Sequence, residues 1–175
     1  NCSTIQMVVA LQPLHQKYKI KRVVVSTYQS VTGTGKKAVD QLFEERKGAS
    51  LSNEAMAYKY QIDLNVIPQI DVFLDNGYTK EEMKMVWETQ KIFNDPSITV
   101  NPTCVRVPVF YGHAEALHIE TRSPIDAQEV VNLLEQTEGI EVFHGDDFPT
   151  QVRDAGGKDH VMVGRIRNDI SHHSG

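Results

Sequence analysis

The chain has 175 residues, a formal net charge of −5 and 40% hydrophobic residues. That length suits one domain with its own hydrophobic core, and the composition excludes disordered, collagenous and membrane-spanning classes. The negative net charge argues against nucleic acid or an acidic membrane as a partner, so an anionic ligand would need a local group of cations. Two cysteines are too few for a disulfide framework, and none of them has metal-ligand spacing, so we expect a cytoplasmic protein without a metal site.

Helical and strand-like periodicities alternate along the chain. In chain order they predict a helix over residues 2–14, a strand over 20–28, a helix over 36–46, an irregular segment over 48–76, a helix over 80–94, strands over 98–109 and 114–122, a helix opened by residues 123–126 and ending near 139, and strands over 140–144 and 161–166. Asn1 is the expected N-cap of the first helix, and Thr79 with Glu82 forms a capping box at the third. The mixture predicts one α+β domain spanning residues 1–175.

Cys2 carries the strongest chemical signal in the sequence. In the first turn of a helix its thiol lies at the positive end of the helix dipole, beside unpaired backbone N–H groups that favour the reactive thiolate. From position alone, an inert cysteine fits equally well. Cys104 lies in the middle of a predicted strand and is expected to pack in the core.

His113 follows Gly112 in a connection between two predicted strands, where a histidine can exchange a proton near neutral pH. Arg106 lies seven residues earlier, a separation that puts the two side chains on opposite faces of a straight strand. Pro108 and Gly112 supply a break that can bring them together. Without that break, Arg106 would be a solvated charge on the face of a strand.

Glu81 and Lys84 stand three residues apart on one face of a capped helix. That spacing is typical of a surface ion pair, and the alternative is a pair of charges that recognises a zwitterionic or anionic ligand. Gly33 and Gly35 mark a tight loop, but they lack both the dinucleotide-binding spacing and the lysine-serine ending of a phosphate-binding loop.

Five ordered segments together resemble the catalytic and dimerisation domain of the aspartate-semialdehyde dehydrogenases. These segments cover residues 1–6, 27–35, 81–91, 106–113 and 163–167. The resemblance extends over nearly the whole chain. It implies a mixed, largely antiparallel sheet covered by helices, as in the C-terminal domain of glyceraldehyde-3-phosphate dehydrogenase.

The resemblance also implies a role for each candidate residue. Cys2 would be the nucleophile, Gln29 would orient the substrate or the thioester, and His113 would be the general acid/base. The charged residues would bind the substrate, with the α-carboxylate on Arg106, the amino group on Glu81 and the phosphate on Lys84. A planar guanidinium suits a carboxylate because it can donate two parallel hydrogen bonds.

The reaction implied is the reversible, NADPH-dependent reductive dephosphorylation of L-4-aspartyl phosphate to L-aspartate 4-semialdehyde, in lysine, methionine and threonine biosynthesis. A cysteine suits it because the thiolate displaces phosphate and leaves a thioester that hydride can reduce. The family also has a Rossmann domain before this region and a helix after it, neither of which is found in the 175 residues. We therefore expect a domain that folds and forms a homodimer through its sheet but is inactive alone, with NADP bound mainly elsewhere and only on its nicotinamide side by Gly33 and Gly35.

Three alternatives stay open. An N-acetylglutamyl-phosphate reductase-like domain shares the cysteine chemistry, although Glu81 argues against it because an acetylated substrate has no amino charge. A non-catalytic dimerisation module would carry an inert thiol. A Cys/His hydrolase or acyltransferase would need Cys2 and His113 within hydrogen-bonding reach and no cofactor-binding half.

Overall fold

A computed structural model describes all residues, 1–175. The helices and strands in chain order are α1 (Cys2–Tyr18), β1 (Ile20–Gln29), α2 (Lys36–Arg46), α3 (Lys80–Phe93), β2 (Thr99–Arg106), β3 (His113–Thr121), α4 (Ala127–Glu135), β4 (Ile140–Val142) and β5 (Val161–Val163). A 3₁₀ turn at Val31–Thr34 and a π-helical turn at Gln151–Ala155 lie in connections. The predicted α+β order of elements is confirmed, and the differences lie at element ends.

Two helix ends differ from their predictions by about one turn: α4 ends at Glu135, before its predicted end near residue 139, and α1 continues past its predicted end to Tyr18 although Pro13 lies inside it. Tertiary contacts support that last turn, because Tyr18 is buried and its hydroxyl donates to Glu129 of α4 at 2.7 Å. The helix ends at Lys19, whose φ of 58° is left-handed. The other end matches the prediction, since Asn1 Oδ1 accepts hydrogen bonds from the backbone N–H groups of the first turn.

The strands form a three-stranded sheet in the order β2-β1-β3 and a two-stranded sheet of β4 and β5. β1 pairs in parallel with β2 and antiparallel with β3, and β4 pairs in parallel with β5. The expected mixed sheet is confirmed, but the expected antiparallel majority is wrong, because two of the three pairings are parallel. Both parallel pairs are joined by long connections, which is what parallel pairing requires.

The main core lies between one face of the larger sheet and the helices α1, α3 and α4. Its fully or nearly fully buried members include Met7, Leu11, Leu14, Ile20, Val23, Val25, Met85, Ile98, Cys104, Val130 and Leu134. Along β1, Val23 and Val25 face this core while Val24 and Ser26 face the other way and remain partly exposed. The second face of the sheet is therefore largely open.

The irregular segment over residues 48–76 is held by side chains of α2. Gln41 accepts the N–H groups of Ala57 and Tyr58, and Glu45 accepts those of Ile62 and Asp63. These bonds satisfy backbone donors that no helix or strand uses. Further along, Ile67 exchanges two backbone hydrogen bonds with Arg106 and so brings the segment to the end of β2.

The capping box predicted at α3 is present. Glu82 N–H donates to Thr79 Oγ1, and Glu82 Oε2 accepts the Thr79 N–H at 2.7 Å. The other Glu82 oxygen accepts the backbone N–H of Cys104 at 2.9 Å, which ties α3 to β2. None of the helices has the length and apolar character that would let it cross a membrane.

Candidate active site

Three candidate side chains stand in one row across the larger sheet. Gln29, the last residue of β1, is the register partner of Arg106 in β2 and of His113 in β3. Register partners share a face of a sheet, so all three point toward α1. The sequence pattern predicted that a break would bring Arg106 and His113 together. They are close because they flank β1, and Gly112 turns the connection with a φ of 78°.

Cys2 completes this group from the helix side. Its Sγ lies 3.1 Å from His113 Nε2, within hydrogen-bonding reach of sulfur. The Asn1 cap places Cys2 in the first turn of α1, and the thiol is exposed. The positive end of the helix dipole therefore faces the same point as the imidazole.

The other ring nitrogen of His113 contacts Ser30. The Ser30 N–H donates to His113 Nδ1 at 3.1 Å, and Ser30 Oγ lies 3.3 Å from the same nitrogen. Burial lowers the pKa of His113, and the positive charge of Arg106 acts in the same direction. The Gly112 carbonyl and the Glu81 carboxylate oppose that shift without cancelling it.

Arg106 is a buried cation, with 3% of its surface exposed. Its Nη1 donates to the Ser30 carbonyl at 2.5 Å, while its buried Nε has no hydrogen-bond partner. Burial lowers the pKa of Arg106, and the nearby Tyr58 and Glu81 partly offset this effect. The Tyr58 ring lies 6.0 Å from the guanidinium carbon. A buried cation with an unused donor is arranged to meet an anion.

Glu81 and Lys84 form the ion pair that their spacing indicated, with Lys84 Nζ 3.5 Å from Glu81 Oε2. Lys84 also lies 3.4 Å from Asp71, a partner that the sequence pattern did not reveal. Burial opposes the charged lysine, but the two carboxylates outweigh it and raise the pKa of Lys84. Glu81 is nearly buried, unlike a residue of an ordinary surface pair. It makes no hydrogen bond to Arg106 or His113, yet its charge influences the pKa of both.

The two loop glycines differ in their surroundings. A Cβ on Gly33 would lie 2.9 Å from Arg106 Nη1 and 3.7 Å from the His113 ring, so Gly33 permits a close internal contact. A Cβ on Gly35 would meet nothing within 4 Å, and the φ of Gly35 is 97°. Gly35 therefore faces open surface, whereas Gly33 packs against the side chains of the site.

Three further residues of the site were not identified from the sequence: Ser30, Glu115 and Gln151. Glu115 follows His113 by two residues, so the strand alternation could have placed both on one face. Burial raises the pKa of Glu115 to about 8, although the Gln6 side chain partly offsets the effect. Gln151 Nε2 donates to the carbonyls of Tyr28 and Gly112, the residues just before Gln29 and His113. No local sequence signal marks Ser30 or Gln151.

The buried side-chain polar atoms that lack a partner all belong to one region. They are Asn1 Nδ2, Ser3 Oγ, Thr4 Oγ1, Arg106 Nε and Glu115 Oε1. The first three belong to the N-cap and the first turn of α1, and the other two lie in β2 and β3 near the ends that Cys2 reaches through its contact with His113. Because buried polar groups are nearly always paired, their concentration here is typical of a binding site.

A profile of the family described as semialdehyde dehydrogenase, dimerisation domain, matches residues 11–175. The chain belongs to this family. A semialdehyde dehydrogenase dimerisation domain thus accounts for nearly all of the 175 residues.

Relatives place this dimerisation domain within longer proteins. The aspartate-semialdehyde dehydrogenase 2 of Vibrio cholerae is 69% identical over 179 residues, which cover 100% of this chain and 52% of that protein. The crystal structure of the Vibrio cholerae aspartate semialdehyde dehydrogenase II complexed with ASA has a TM-score of 0.94 and 66% identity, covering 99% of this chain and 52% of that one. The chain thus spans about half the length of these relatives.

A more distant neighbour shares the fold alone. The structure of aspartate semialdehyde dehydrogenase with NADP from Candida albicans has a TM-score of 0.69 at 23% identity, covering 97% of this chain and 48% of that one. Together with the closer structures, it confirms the expected likeness to the C-terminal domain of glyceraldehyde-3-phosphate dehydrogenase.

Proposed function

We propose that this chain is the catalytic and dimerisation half of an NADP-dependent aspartate-semialdehyde dehydrogenase. The reaction converts L-4-aspartyl phosphate and L-aspartate 4-semialdehyde into one another, on the route to lysine, methionine and threonine. The observation that carries the proposal is the 3.1 Å contact between Cys2 Sγ and His113 Nε2 at the start of a capped helix. The names of the relatives, and the ASA complex of one of them, support the choice of substrate.

Cys2 serves as the nucleophile. Its thiolate attacks the acyl carbon of aspartyl phosphate, and the bond from that carbon to the phosphate oxygen breaks. Inorganic phosphate departs, and the acyl group stays bound to the Cys2 sulfur as a thioester. The N-terminus of α1 stabilises both the thiolate and the oxyanion that forms on the acyl group. His113 is the acid/base group at the same carbonyl, because its Nε2 lies 3.1 Å from the attacking sulfur of Cys2.

Gln29 orients the acyl group from the middle of the row. It is buried with 1% of its surface exposed, and its Nε2 donates to Thr27 Oγ1 at 3.1 Å. This bond holds the side-chain amide in one orientation between Arg106 and His113, its register partners. A fixed dipole beside the reacting carbon needs no reorganisation during the reaction.

Arg106 binds the α-carboxylate of the substrate. Since Nη1 is used by the Ser30 carbonyl, the edge formed by Nε and Nη2 is available for two parallel hydrogen bonds to a carboxylate. Glu81 takes the substrate amino group, and Lys84 takes the phosphate. The raised pKa of Lys84 keeps it cationic at neutral pH, as a phosphate ligand must be.

Bound NADPH supplies the hydride that reduces the thioester. No glycine-rich dinucleotide fingerprint occurs in the 175 residues. By the family resemblance, Gly35 would adjoin the nicotinamide side, and the cofactor phosphates would be held by the other half of the longer enzyme, of which this chain covers about half. Both cysteines are unpaired, which suits the reducing cytoplasm.

The homodimer forms through the open face of the larger sheet. That face carries apolar and small polar residues in register, among them Val24, Ser26, Tyr28, Thr103 and Ala116. The family description, a dimerisation domain, supports a homodimer. We expect Ala116→Arg to convert the dimer to a monomer in sedimentation velocity, whereas Gln136→Arg, at an exposed position after α4, should leave it dimeric. A dimer that survives Ala116→Arg would contradict the use of this face.

Activity is tested in a chimaera in which this chain replaces the matching half of the Vibrio cholerae relative, 69% identical. Cys2→Ser should abolish phosphate-dependent reduction of NADP with aspartate semialdehyde. The matched control is Cys104→Ala, which removes the other, buried thiol and should retain turnover. Turnover that persists in Cys2→Ser would refute the mechanism.

A further inference from the structure

The backbone of one buried residue, Ser30, forms hydrogen bonds with two side chains of the site, Arg106 and His113. Its carbonyl accepts from Arg106 Nη1, and its N–H donates to His113 Nδ1. Ser30 itself is fully buried, and its N–H has no other acceptor. The two sides of the Ser30 backbone thus determine where the guanidinium and the imidazole lie.

A backbone N–H can only donate, and this property decides which nitrogen of His113 carries the proton. Because Nδ1 accepts from Ser30, Nδ1 has no proton in the neutral ring, and the proton resides on Nε2. A ring turned over by 180° would place carbon atoms against both the Ser30 N–H and Cys2 Sγ. The two 3.1 Å contacts would then be lost, so the observed orientation is the one that satisfies both.

We propose that the Ser30 backbone N–H holds His113 as the Nε2–H tautomer, so that His113 meets the Cys2 sulfur and the substrate carbonyl as a hydrogen-bond donor. The inference rests on the proposed function, and it narrows the part that His113 plays there. A neutral ring with its proton on Nε2 has no lone pair with which to take the Cys2 proton. That proton leaves to solvent, which reaches the exposed thiol, and the Nε2–H then stabilises the thiolate.

The surroundings of His113 favour the neutral ring. In an imidazolium, the Nδ1–H would face the Ser30 N–H, leaving only Ser30 Oγ at 3.3 Å and the Gly112 carbonyl as acceptors. The charged groups that face the ring are Arg106 on β2, which disfavours the cation, and Glu81 on α3, which favours it. A neutral imidazole that polarises a carbonyl is a known use of histidine in catalysis.

Ser30→Pro removes the N–H, and because the proline Cδ takes the place of that hydrogen, the His113 ring also moves away from residue 30. The Ser30 φ of −66° and ψ of 156° are values that proline adopts, and the carbonyl that holds Arg106 remains in Ser30→Pro. Ser30→Ala is the matched control, because it deletes the hydroxyl and keeps the N–H. The expected change in the His113 tautomer ratio on losing one hydrogen bond is about fivefold to tenfold.

The test is ¹⁵N NMR of the histidine-labelled 175-residue protein at neutral pH, with His113 signals assigned by their loss in His113→Gln. We expect a pyridine-type Nδ1, a pyrrole-type Nε2, and a coupling across the hydrogen bond between Ser30 N and His113 Nδ1. A pyrrole-type Nδ1, averaged shifts or an absent coupling would overturn the proposal without any variant. In Ser30→Pro the ratio should move toward Nδ1–H, and in Ser30→Ala it should not; an unchanged ratio in Ser30→Pro would also overturn it.

These spectra need no substrate or cofactor. If the spectra show the proton on Nε2 but the chimaera has no dehydrogenase activity, the proposed function is refuted and the tautomer proposal stands. If the chimaera is active but the proton is on Nδ1, the tautomer proposal is refuted and the proposed function stands.

Discussion

Gly33 lies directly against the guanidinium of Arg106. A Cβ on Gly33 would stand 2.9 Å from Nη1, closer than real Cβ contacts allow. The 3₁₀ turn that contains Gly33 thus covers Arg106 and keeps its Nη1 on the Ser30 carbonyl. A glycine at this position is a packing requirement of the buried cation.

Gly33→Ala should displace that guanidinium and lower the free energy of unfolding by about 1–3 kcal/mol, the usual effect of overpacking. Urea denaturation measures the change. Gly156→Ala is the control, because a Cβ there meets nothing within 4 Å and its φ of −63° suits alanine. That variant should stay within about 0.5 kcal/mol of the wild type. Equal losses in both variants would show that the contact with Arg106 is unimportant.

The two thiols should differ greatly in reactivity toward iodoacetamide. Cys2 is exposed at a helix N-terminus, whereas Cys104 is fully buried and burial raises its pKa to about 12. In the native protein we expect carboxamidomethylation of Cys2 alone, read by mass spectrometry of peptides. Cys104 should react only after denaturation. Similar native rates at both cysteines would favour an inert Cys2.

Glu115 should make the protein less stable as the pH rises. Its pKa rises from 4.5 in the unfolded chain to about 8 in the folded one, so between these values the folded state binds more protons and stability falls with increasing pH. Glu115→Gln, which mimics the neutral carboxyl, should remove that part of the slope. Urea denaturation from pH 5 to pH 8 measures it, and identical slopes in the two proteins would contradict a buried, neutral Glu115.

His15 should act in the opposite direction. Its Nδ1 accepts the Ile20 N–H at 3.2 Å, its ring stacks on Phe93 at 5.0 Å, and burial lowers its pKa although Asp95 opposes this. The unfolded chain therefore binds the proton more readily, and stability is lost as the pH falls below 6.5. His15→Asn should be less stable at neutral pH and show a shallower acid limb. An unchanged acid limb would show that His15 does not titrate on unfolding.

Local features of the fold were predictable because they depend on residues close in sequence. Asn1 caps α1, and Thr79 with Glu82 caps α3, through hydrogen bonds that span three residues or fewer. The ordered motifs likewise identified Cys2 and His113 as a candidate pair, which the structure places in contact. Element ends were less accurate, since the last turn of α1 depends on a bond to α4.

Site residues that act through their backbone, or through contacts distant in sequence, could not be identified from the sequence. Ser30 contributes an N–H and a carbonyl that every residue except proline possesses, so its side chain gives no sign of the role. Gln151 lies 39 residues from the Gly112 carbonyl that it binds. Asp71 joins Lys84 only because the irregular segment folds back onto α3.

The sequence alone determined the order of elements, their caps, the family likeness and the identities of the chemically capable side chains. Each of these follows from periodicity, local hydrogen bonding or motifs carried by neighbouring residues. Only the tertiary structure decided that β1 lies between β2 and β3, which sets Arg106 and His113 on either side of Gln29. Strand pairing is set by long-range packing against the helices. The same packing holds α1 against the sheet, where Cys2 contacts His113.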